Sequence, residues 1–242
     1  NIWYHGTGER LGSRSLGNGV YKSTDNGESW FKLPSTTEGS TGTWDNEFDF
    51  VYRIRTNPIA PENRDEVYVA LALGGILRST DGGVNWNPVI GNGISNGSSM
   101  YSDIEVTSDG VFYATLSSNG GNNFPSNVKG IYRSIDGRVW TNITPDDFPE
   151  RYNRIAIGID PQNENKVYFV GETPGFGTMT TNSQKDSLWH SLYKYEFKAG
   201  NGKAENGVWT NLSHNIPNPD LVRHQMNSQG GYDLHIEVHP KD

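Results

Sequence analysis

Short runs of alternating apolar and polar residues recur along the chain. In residues 102–107, Ile104 and Val106 alternate with polar side chains, and residues 154–160 repeat the pattern with isoleucines. Alternation with a period of two is typical of β-strands that bury one face. Both runs end in a turn containing Gly, Asp or Pro, and a second apolar run follows within a few residues. The pattern therefore predicts many short antiparallel strands.

The runs are of two kinds, which correspond to successive strands of one sheet. The first kind precedes a turn and is predicted to be the innermost strand of a four-stranded unit; it covers residues 51–58, 102–107, 154–161 and 233–240. The second kind follows the turn and covers residues 1–5, 66–70, 111–114 and 166–170. The chain is therefore expected to begin at the second strand of one unit and to end after the first strand of another.

A short motif recurs after the third strand of these units. The pattern Ser-x-Asp-x-Gly-x-x-Trp is intact twice, a third copy is one residue shorter, and a fourth, degenerate copy ends at Trp209. The residues of the three clear copies are Ser23, Asp25, Gly27 and Trp30; Ser79, Asp81, Gly83 and Trp86; and Ser134, Asp136 and Trp140. Ser and Asp can hydrogen-bond the backbone of a turn, Gly adopts a positive φ, and Trp packs on the hairpin. These residues are expected to have a structural role.

The repeated motif resembles the Asp-box, or BNR, repeat. Asp-boxes occur in sialidases, sortilin-type receptors, glucan-cleaving two-propeller glycoside hydrolases and photosystem II assembly-factor-like proteins. The resemblance extends over essentially the whole chain and implies an all-β propeller of four-stranded antiparallel blades. Asp-box propellers usually have six or more blades, so the roughly four blades of this chain are expected to be part of a larger propeller. Because these families have unrelated activities, the resemblance leaves the function open.

The repeats define one propeller segment over residues 1–242. Blade repeats are predicted near residues 1–50, 51–100, 101–152 and 153–231, with a last strand at 232–239. In a propeller, the loops from second to third strand and from one blade to the next lie on the same rim, and in this chain they are the long loops. Long loops on a rigid scaffold are where binding sites are commonly found.

The composition excludes several classes of function. Lys and Arg total 20 against 28 Asp and Glu, and the formal net charge of −8 does not favour nucleic acid as a partner. The chain has no Cys, which rules out disulfides and cysteine nucleophiles. No apolar run predicts a transmembrane segment. Phosphate-binding and dinucleotide-binding motifs are also absent from the sequence, and no cofactor is expected.

Two groups of residues on the long loops are candidates for contact with a ligand or a partner. The first group is Trp44, Asp45, Glu47 and Asp49. An aromatic ring beside three carboxylates suits a sugar, a metal or acid–base catalysis, although a solvated acidic loop is the favoured interpretation. The second group, Phe176, Trp189 and His190, suits stacking on a ligand or packing on a partner protein.

Charged residues alternate with apolar ones along the inner strands. Sialidases use an arginine cluster to hold a carboxylate, and residues 53–55 are faintly similar to their Arg-Ile-Pro signature. Arg55 replaces the proline, however, and the segment follows the first repeat instead of preceding it. Ordinary salt bridges between neighbouring blades are the favoured interpretation. The charged residues on these strands are Arg53, Arg55, Asp103, Glu105, Arg154, His235 and Glu237.

The histidines give little support for a metal site. His235, Glu237 and His239 alternate along one predicted strand, but a partly exposed strand face is favoured over a ligand set. His214 and His224 lie in a long loop without a fixed spacing. No metal site is predicted.

The preferred function is a non-catalytic binding or scaffold module of a secreted or cell-surface bacterial protein. It would engage a protein or a glycan through its long loops. One alternative is half of a glycoside hydrolase propeller of the glucan or sialic-acid type, in which the acidic loop supplies a carboxylate. Another is an assembly factor that docks on a membrane complex. The resemblance implies an extracellular, cell-surface or periplasmic location for most relatives.

Overall fold

Antiparallel β-strands make up the fold. The computed structural model describes residues 1–8, 16–37, 39, 45–91, 100–117, 128–182, 184–218, 226–228 and 234–241. These ranges contain sixteen strands and four short 3₁₀-helices, and no α-helix. None of their helices is long and apolar enough to cross a membrane.

The first two sheets have simple up-and-down order. Sheet 1 contains β1 (Trp3–Gly6), β2 (Val20–Ser23) and β3 (Phe31–Lys32). Sheet 2 contains β4 (Val51–Thr56), β5 (Val67–Leu71), β6 (Gly75–Ser79) and β7 (Asn87–Ile90). Two 3₁₀-helices, Pro34–Thr36 and Glu47–Asp49, lie on the connection between these sheets.

The third sheet repeats this order and the fourth extends it. Sheet 3 contains β8 (Tyr101–Val106), β9 (Phe112–Ser117), β10 (Gly130–Ser134) and β11 (Thr141–Asn142). Sheet 4 contains β12 (Ile155–Ile159), β13 (Lys166–Glu172), β14 (Thr178–Thr181), β15 (Ser187–Phe197) and β16 (Gly207–Asn211). The other 3₁₀-helices, Ala204–Asn206 and Ser213–Asn215, flank β16. Part of the long connection expected at residues 171–189 is thus a hairpin, because β14 pairs with the first residues of β15.

The sheets stack face to face through their alternating apolar residues. On β5, Val69 and Leu71 pack toward sheet 1, whereas Tyr68 and Ala70 pack toward sheet 3. All five residues of β5 are buried, as expected for a strand covered on both faces. A third apolar layer, which includes Tyr113, Ile131, Ile157, Phe169 and Tyr195, fills the space between sheets 3 and 4. Burial at these layers holds neighbouring sheets together.

The two ends of the sheets differ in their connections. We call the end at which β2 joins β3, β6 joins β7 and β10 joins β11 the turn face. We call the opposite end, where the chain passes from each sheet to the next, the long-loop face. The acidic loop at residues 45–49 lies on the long-loop face, and the repeated Ser-Asp turns lie on the turn face.

A last strand was expected at residues 232–239. Of these, the described residues 234–239 do not form a strand. Leu234 and Ile236 instead cover the outer side of sheet 4 by apolar contact. The backbone carbonyl of Ile236 lies close to Gly158. A Cβ atom on residue 158 would be 3.1 Å from that carbonyl oxygen. Side-chain packing, without a hydrogen-bonded ladder, holds this segment on the sheet.

The three repeated turns share one hydrogen-bond network. The Ser hydroxyl donates to the Asp carboxylate at 2.7, 2.8 and 3.1 Å in the three copies. The Asp carboxylate also accepts the backbone amides of Ser29 and Asn85, four residues on, at 2.9 Å. In the shorter third copy it accepts the amide of Val139, three residues on, at 2.9 Å. The two longer turns have two consecutive positive-φ residues, ending at Gly27 and Gly83, whereas the third turn has only Gly137, which explains the closer contact.

The tryptophan of each motif packs differently. Trp86 lies 5.5 Å from the ring of Phe48, and Trp140 lies 6.5 Å from the ring of Phe112. Trp30 is 42% exposed and donates to its own turn. In the degenerate fourth copy, Trp209 still packs on aromatic residues of sheet 4. The tryptophan therefore packs into the nearest apolar layer in the motifs at Trp86 and Trp140, and it stays largely exposed at Trp30.

Replacing Ser79 by Ala should lower the free energy of unfolding by about 1 to 3 kcal/mol, because the buried amide of Gly83 loses its acceptor. Ser134→Ala should have a smaller effect, since no glycine amide bonds to that hydroxyl among the contacts of the described turn. Thr80→Ala, at the exposed neighbouring position, is the matched control. Urea unfolding measures all three, and equal losses for Ser79 and Thr80 would contradict the assigned role.

Candidate functional site on the long-loop face

The acidic loop enters sheet 2 through a short 3₁₀-helix. Asp49 is 5% exposed, and its carboxylate accepts hydrogen bonds from the amides of Asp45 and Asn46 at 3.2 and 3.1 Å. The Asn46 side chain accepts the amide of Phe48 at 2.7 Å, which completes a capping box. Asp49 therefore holds the loop in place and is not available to a ligand.

Glu47 is the carboxyl group of this loop whose pKa is raised. Its side chain is exposed, yet the protein around it partly desolvates the carboxyl and raises its pKa. Within the described residues, no hydrogen bond or ion pair holds the Glu47 carboxylate. Asp45 is also exposed and lies beside Gly39. The structure thus separates one structural carboxylate, Asp49, from two that face solvent.

The aromatic candidates Phe176 and Trp189 lie in sheet 4 and its connections, and not in this loop. Trp44 falls outside the described residues. Phe176 is 39% exposed in the turn between β13 and β14, where its amide donates to the carbonyl of Thr173 at 2.8 Å. Trp189 is partly buried and lies opposite Met179, which is 42% exposed, in the β14–β15 hairpin. These residues give the hairpin a small exposed apolar surface.

His190 was expected on a contact surface, but it is fully buried. Its Nε2 hydrogen-bonds the hydroxyl of Ser228 at 2.7 Å, and its Nδ1 has no hydrogen-bond partner among the described residues. Burial lowers the pKa of His190 to about 4. The imidazole is therefore neutral at pH 7 and holds the segment around Ser228 against sheet 4.

A buried carboxyl group accompanies this histidine. Glu172 lies directly opposite His190 in the β13–β15 register, and burial raises its pKa. The side chain of Asn153 donates to the Glu172 carboxylate at 3.0 Å and works against that rise. Perturbed titratable groups of this kind occur at functional sites and also in structural networks. The sequence did not identify either residue as part of a site. Glu172 follows the apolar run that predicted β13 without any motif, and Ser228 lies in no recognised motif.

The arginines of the inner strands are neutralised by carboxylates. Arg53 on β4 makes a two-pronged contact with Asp103 on β8, with distances of 2.8 Å from Nε and 3.2 Å from a terminal nitrogen. Arg55 pairs with Glu105 in the same way, at 2.6 Å from its Nε. Burial favours a lower pKa for Arg53, but Asp103 outweighs this effect and raises it. The predicted salt bridges between neighbouring blades are confirmed, and these arginines are not available to hold a substrate carboxylate.

The histidines near the end of the chain do not converge. The Nε2 of His235 lies 3.5 Å from a carboxylate oxygen of Glu237, and both side chains are largely exposed. His239 accepts the amide of Lys241 at 3.3 Å. In the described ranges, no group of three or more His, Cys, Asp or Glu has the geometry to hold a metal ion.

Comparisons with known proteins place the fold. No protein-family model matches the chain. The xyloglucanase Xgh74A of Acetivibrio thermocellus is 31% identical over 173 residues, which cover 65% of this chain and 20% of the relative. The chain thus spans one fifth of that enzyme.

Solved structures of two GH74 enzymes are similar to this chain at lower sequence identity. The GH74 enzyme of Niastella koreensis superposes with a TM-score of 0.57 and 21% identity over 87% of this chain and 27% of the enzyme. The GH74 xyloglucanase of Xanthomonas campestris has a TM-score of 0.49 and 18% identity over 87% of this chain and 28% of its own. The likeness to the Niastella enzyme confirms the predicted fold class. The chain is an all-β propeller segment of antiparallel sheets, of which sheets 2 and 3 have four strands each, and these sheets do not close into a ring within the described residues.

Proposed function

We propose that this chain is part of a glycoside hydrolase propeller of the xyloglucanase kind, and that its long-loop face contributes to a glucan-binding cleft. The observation that carries the proposal is the 31% identity over 173 residues with a xyloglucanase. This choice replaces the non-catalytic scaffold that the sequence favoured with the hydrolase alternative. A glycan is then the expected partner, and an extracellular location follows from the size of a polysaccharide substrate. Docking on a membrane complex as an assembly factor stays a prediction.

Within this proposal, Glu47 supplies the proton for the leaving group. Glycoside hydrolysis needs one carboxylic acid that is still protonated at the working pH and a second carboxylate that acts as base or nucleophile. The pKa of Glu47 is raised and its side chain is exposed on the long-loop face. Asp49 is unsuited to either task, because backbone amides occupy its carboxylate. The second carboxylate would come from another part of the cleft.

The repeated turns have a separate, structural place in the proposal. Their shared hydrogen bonds from Ser to Asp support their assignment as Asp-boxes. Each would close the last two strands of one blade, which agrees with the division near residues 1–50, 51–100, 101–152 and 153–231. The turns lie on the opposite face from Glu47, so a change in a turn should affect stability without removing a catalytic group.

The test is hydrolysis of xyloglucan by the protein that carries this chain. Glu47→Gln should lower kcat by about 10²- to 10⁴-fold, the usual contribution of a general acid, with little change in KM or Tm. In the unaltered enzyme, activity should fall as the pH rises through the raised pKa of Glu47, because the acid loses its proton. Release of reducing sugar, measured across a pH series, gives both results.

Glu62→Gln is the matched control, since Glu62 is an exposed carboxylate on the opposite, turn face. An equal loss of kcat in both variants would remove Glu47 from the mechanism. If the protein binds xyloglucan without releasing reducing sugar, the non-catalytic binding module would be the correct function.

A further inference from the structure

A small polar cleft opens on the turn face between sheets 3 and 4. Its volume is about 150 Å³. One wall is the turn that joins β8 to β9, and the other is the turn that joins β12 to β13; Arg133 and Phe197 lie between them. The cleft is on the opposite end of the sheets from Glu47, so it is separate from the proposed catalytic face.

Arg133 lies in the cleft as a buried cation, and the described residues provide no ion pair for it. The residue is 6% exposed, and its guanidinium carbon lies 3.9 Å from the centre of the Phe197 ring. Its Nε has no hydrogen-bond partner in the described part of the chain, and no carboxylate there lies within ion-pair distance of it. The guanidinium does have the Tyr113 hydroxyl as a hydrogen-bond partner, and this contact partly offsets the rise that burial causes in the pKa of Tyr113. A buried guanidinium usually has more acceptors than this.

Two carboxylates line the same cleft without reaching Arg133. Glu164 accepts the amide of Ser108 at 3.0 Å and its hydroxyl at 2.6 Å, which ties the two turns together. Asp109 is exposed and accepts the hydroxyl of Thr107. Both carboxylates are therefore oriented before any ligand arrives, and such preorganisation lowers the cost of binding.

The charges of the cleft select a class of ligand. A simple anion would pair with Arg133 but would be repelled by Asp109 and Glu164, and a simple cation would meet the opposite difficulty. A hydroxyl group accepts one hydrogen bond and donates another, so it can bridge a guanidinium and a carboxylate that do not touch each other. Two neighbouring hydroxyls on one ring could engage Arg133 and both carboxylates.

We propose that this cleft binds a single neutral sugar residue through vicinal hydroxyls, as a second carbohydrate site on the turn face. The volume suits one hydroxylated ring and excludes a long chain from the interior. The proposal does not depend on catalysis at Glu47, because it rests on residues of sheets 3 and 4 at the other end of the molecule. A protein without hydrolase activity could still have this site.

The test uses D-glucose as the probe, with D-glucuronate and D-glucosamine as its anionic and cationic analogues. Binding is followed by the NMR signals of the Arg133 side chain and by saturation transfer to the sugar. Glucose should shift the Arg133 signals in a saturable way, and both charged sugars should bind more weakly. Asp109→Asn should weaken glucose binding about tenfold or more, the usual effect of losing a hydrogen bond to a charged group.

Glu28→Gln is the matched control, because it removes one negative charge at an exposed carboxylate in the turn that joins β2 to β3, away from the cleft and from the long-loop face. It should leave glucose binding unchanged. Arg133→Met removes the cation and should abolish glucose binding. If Arg133→Met does not fold, Asp109→Asn still tests the proposal. The proposal is overturned if glucose leaves the Arg133 signals unmoved, if glucuronate binds more tightly than glucose, or if Asp109→Asn and Glu28→Gln lose binding equally.

Discussion

Asp103→Ala should lower the free energy of unfolding by about 3 to 5 kcal/mol, the range expected when one member of a buried ion pair is removed. The Asp103 side chain is 2% exposed, and that of Arg53 is 18% exposed. The substitution would leave the guanidinium desolvated and without its two-pronged contact. Asp103 also accepts the amide of Ile157 at 3.3 Å, so its carboxylate connects β4, β8 and β12, which belong to three different sheets. Chemical denaturation of the whole chain measures the loss.

A double substitution separates two contributions to the free energy of unfolding: the cost of leaving Arg53 unpaired and the stabilisation by the ion pair itself. Arg53→Met combined with Asp103→Leu removes both charges and keeps apolar bulk, and it should recover much of the stability lost in Asp103→Ala. Glu196→Ala breaks an exposed ion pair with Lys198 and should leave stability nearly unchanged. Equal losses in Asp103→Ala and Glu196→Ala would contradict the view that burial makes the Asp103 contact important.

The sequence could predict contacts that depend on local spacing. The Ser-x-Asp-x-Gly pattern identified the turns because its hydrogen bonds join residues two to four positions apart. The alternating runs predicted β8 and β12. The basic and acidic residues of neighbouring inner strands predicted salt bridges between blades, and the contact of Arg53 with Asp103 is one of them. Each of these predictions needs only the period of a strand and the fact that consecutive sheets are neighbours.

The sequence could not predict contacts that depend on what covers a surface. His190 reads as an exposed residue beside Trp189 in a long insertion, but Ser228, 38 residues later, closes over it. Residues 234–239 alternate like a strand, yet they form no strand and lie against sheet 4 through the apolar contacts of Leu234 and Ile236. The acidic loop shows the same limit, because its three carboxylates look equivalent until the fold assigns Asp49 to backbone amides.

The stability of the protein should depend on pH through His190. Burial lowers the pKa of this histidine from 6.5 to about 4 in the folded chain. Between these values the unfolded chain binds a proton that the folded chain excludes, so stability is lost as the pH falls from 6.5 toward 4. The loss due to this one residue should approach about 3 kcal/mol, at 1.36 kcal/mol for each pKa unit.

Glu172 acts in the opposite direction and must be separated from this effect. Its pKa is raised, so it contributes stability at low pH that is lost as the pH rises through the folded value. Comparison of the unaltered chain with His190→Gln, and of Glu172→Gln with the double variant, isolates the histidine. His214→Gln, at an exposed histidine, is the control for a change of residue type.

The expected result is a difference in unfolding free energy between the unaltered chain and His190→Gln that shifts in favour of the variant as the pH falls. The variant cannot take up the proton that the unaltered chain gains on unfolding, so its stability should decline less steeply over this range. The same comparison in the Glu172→Gln background should give the same shift, because burial, and not the carboxyl group of Glu172, lowers the pKa of His190. Parallel pH curves for the two proteins would mean that His190 is protonated without unfolding, which would require the Ser228 contact to open in the native state.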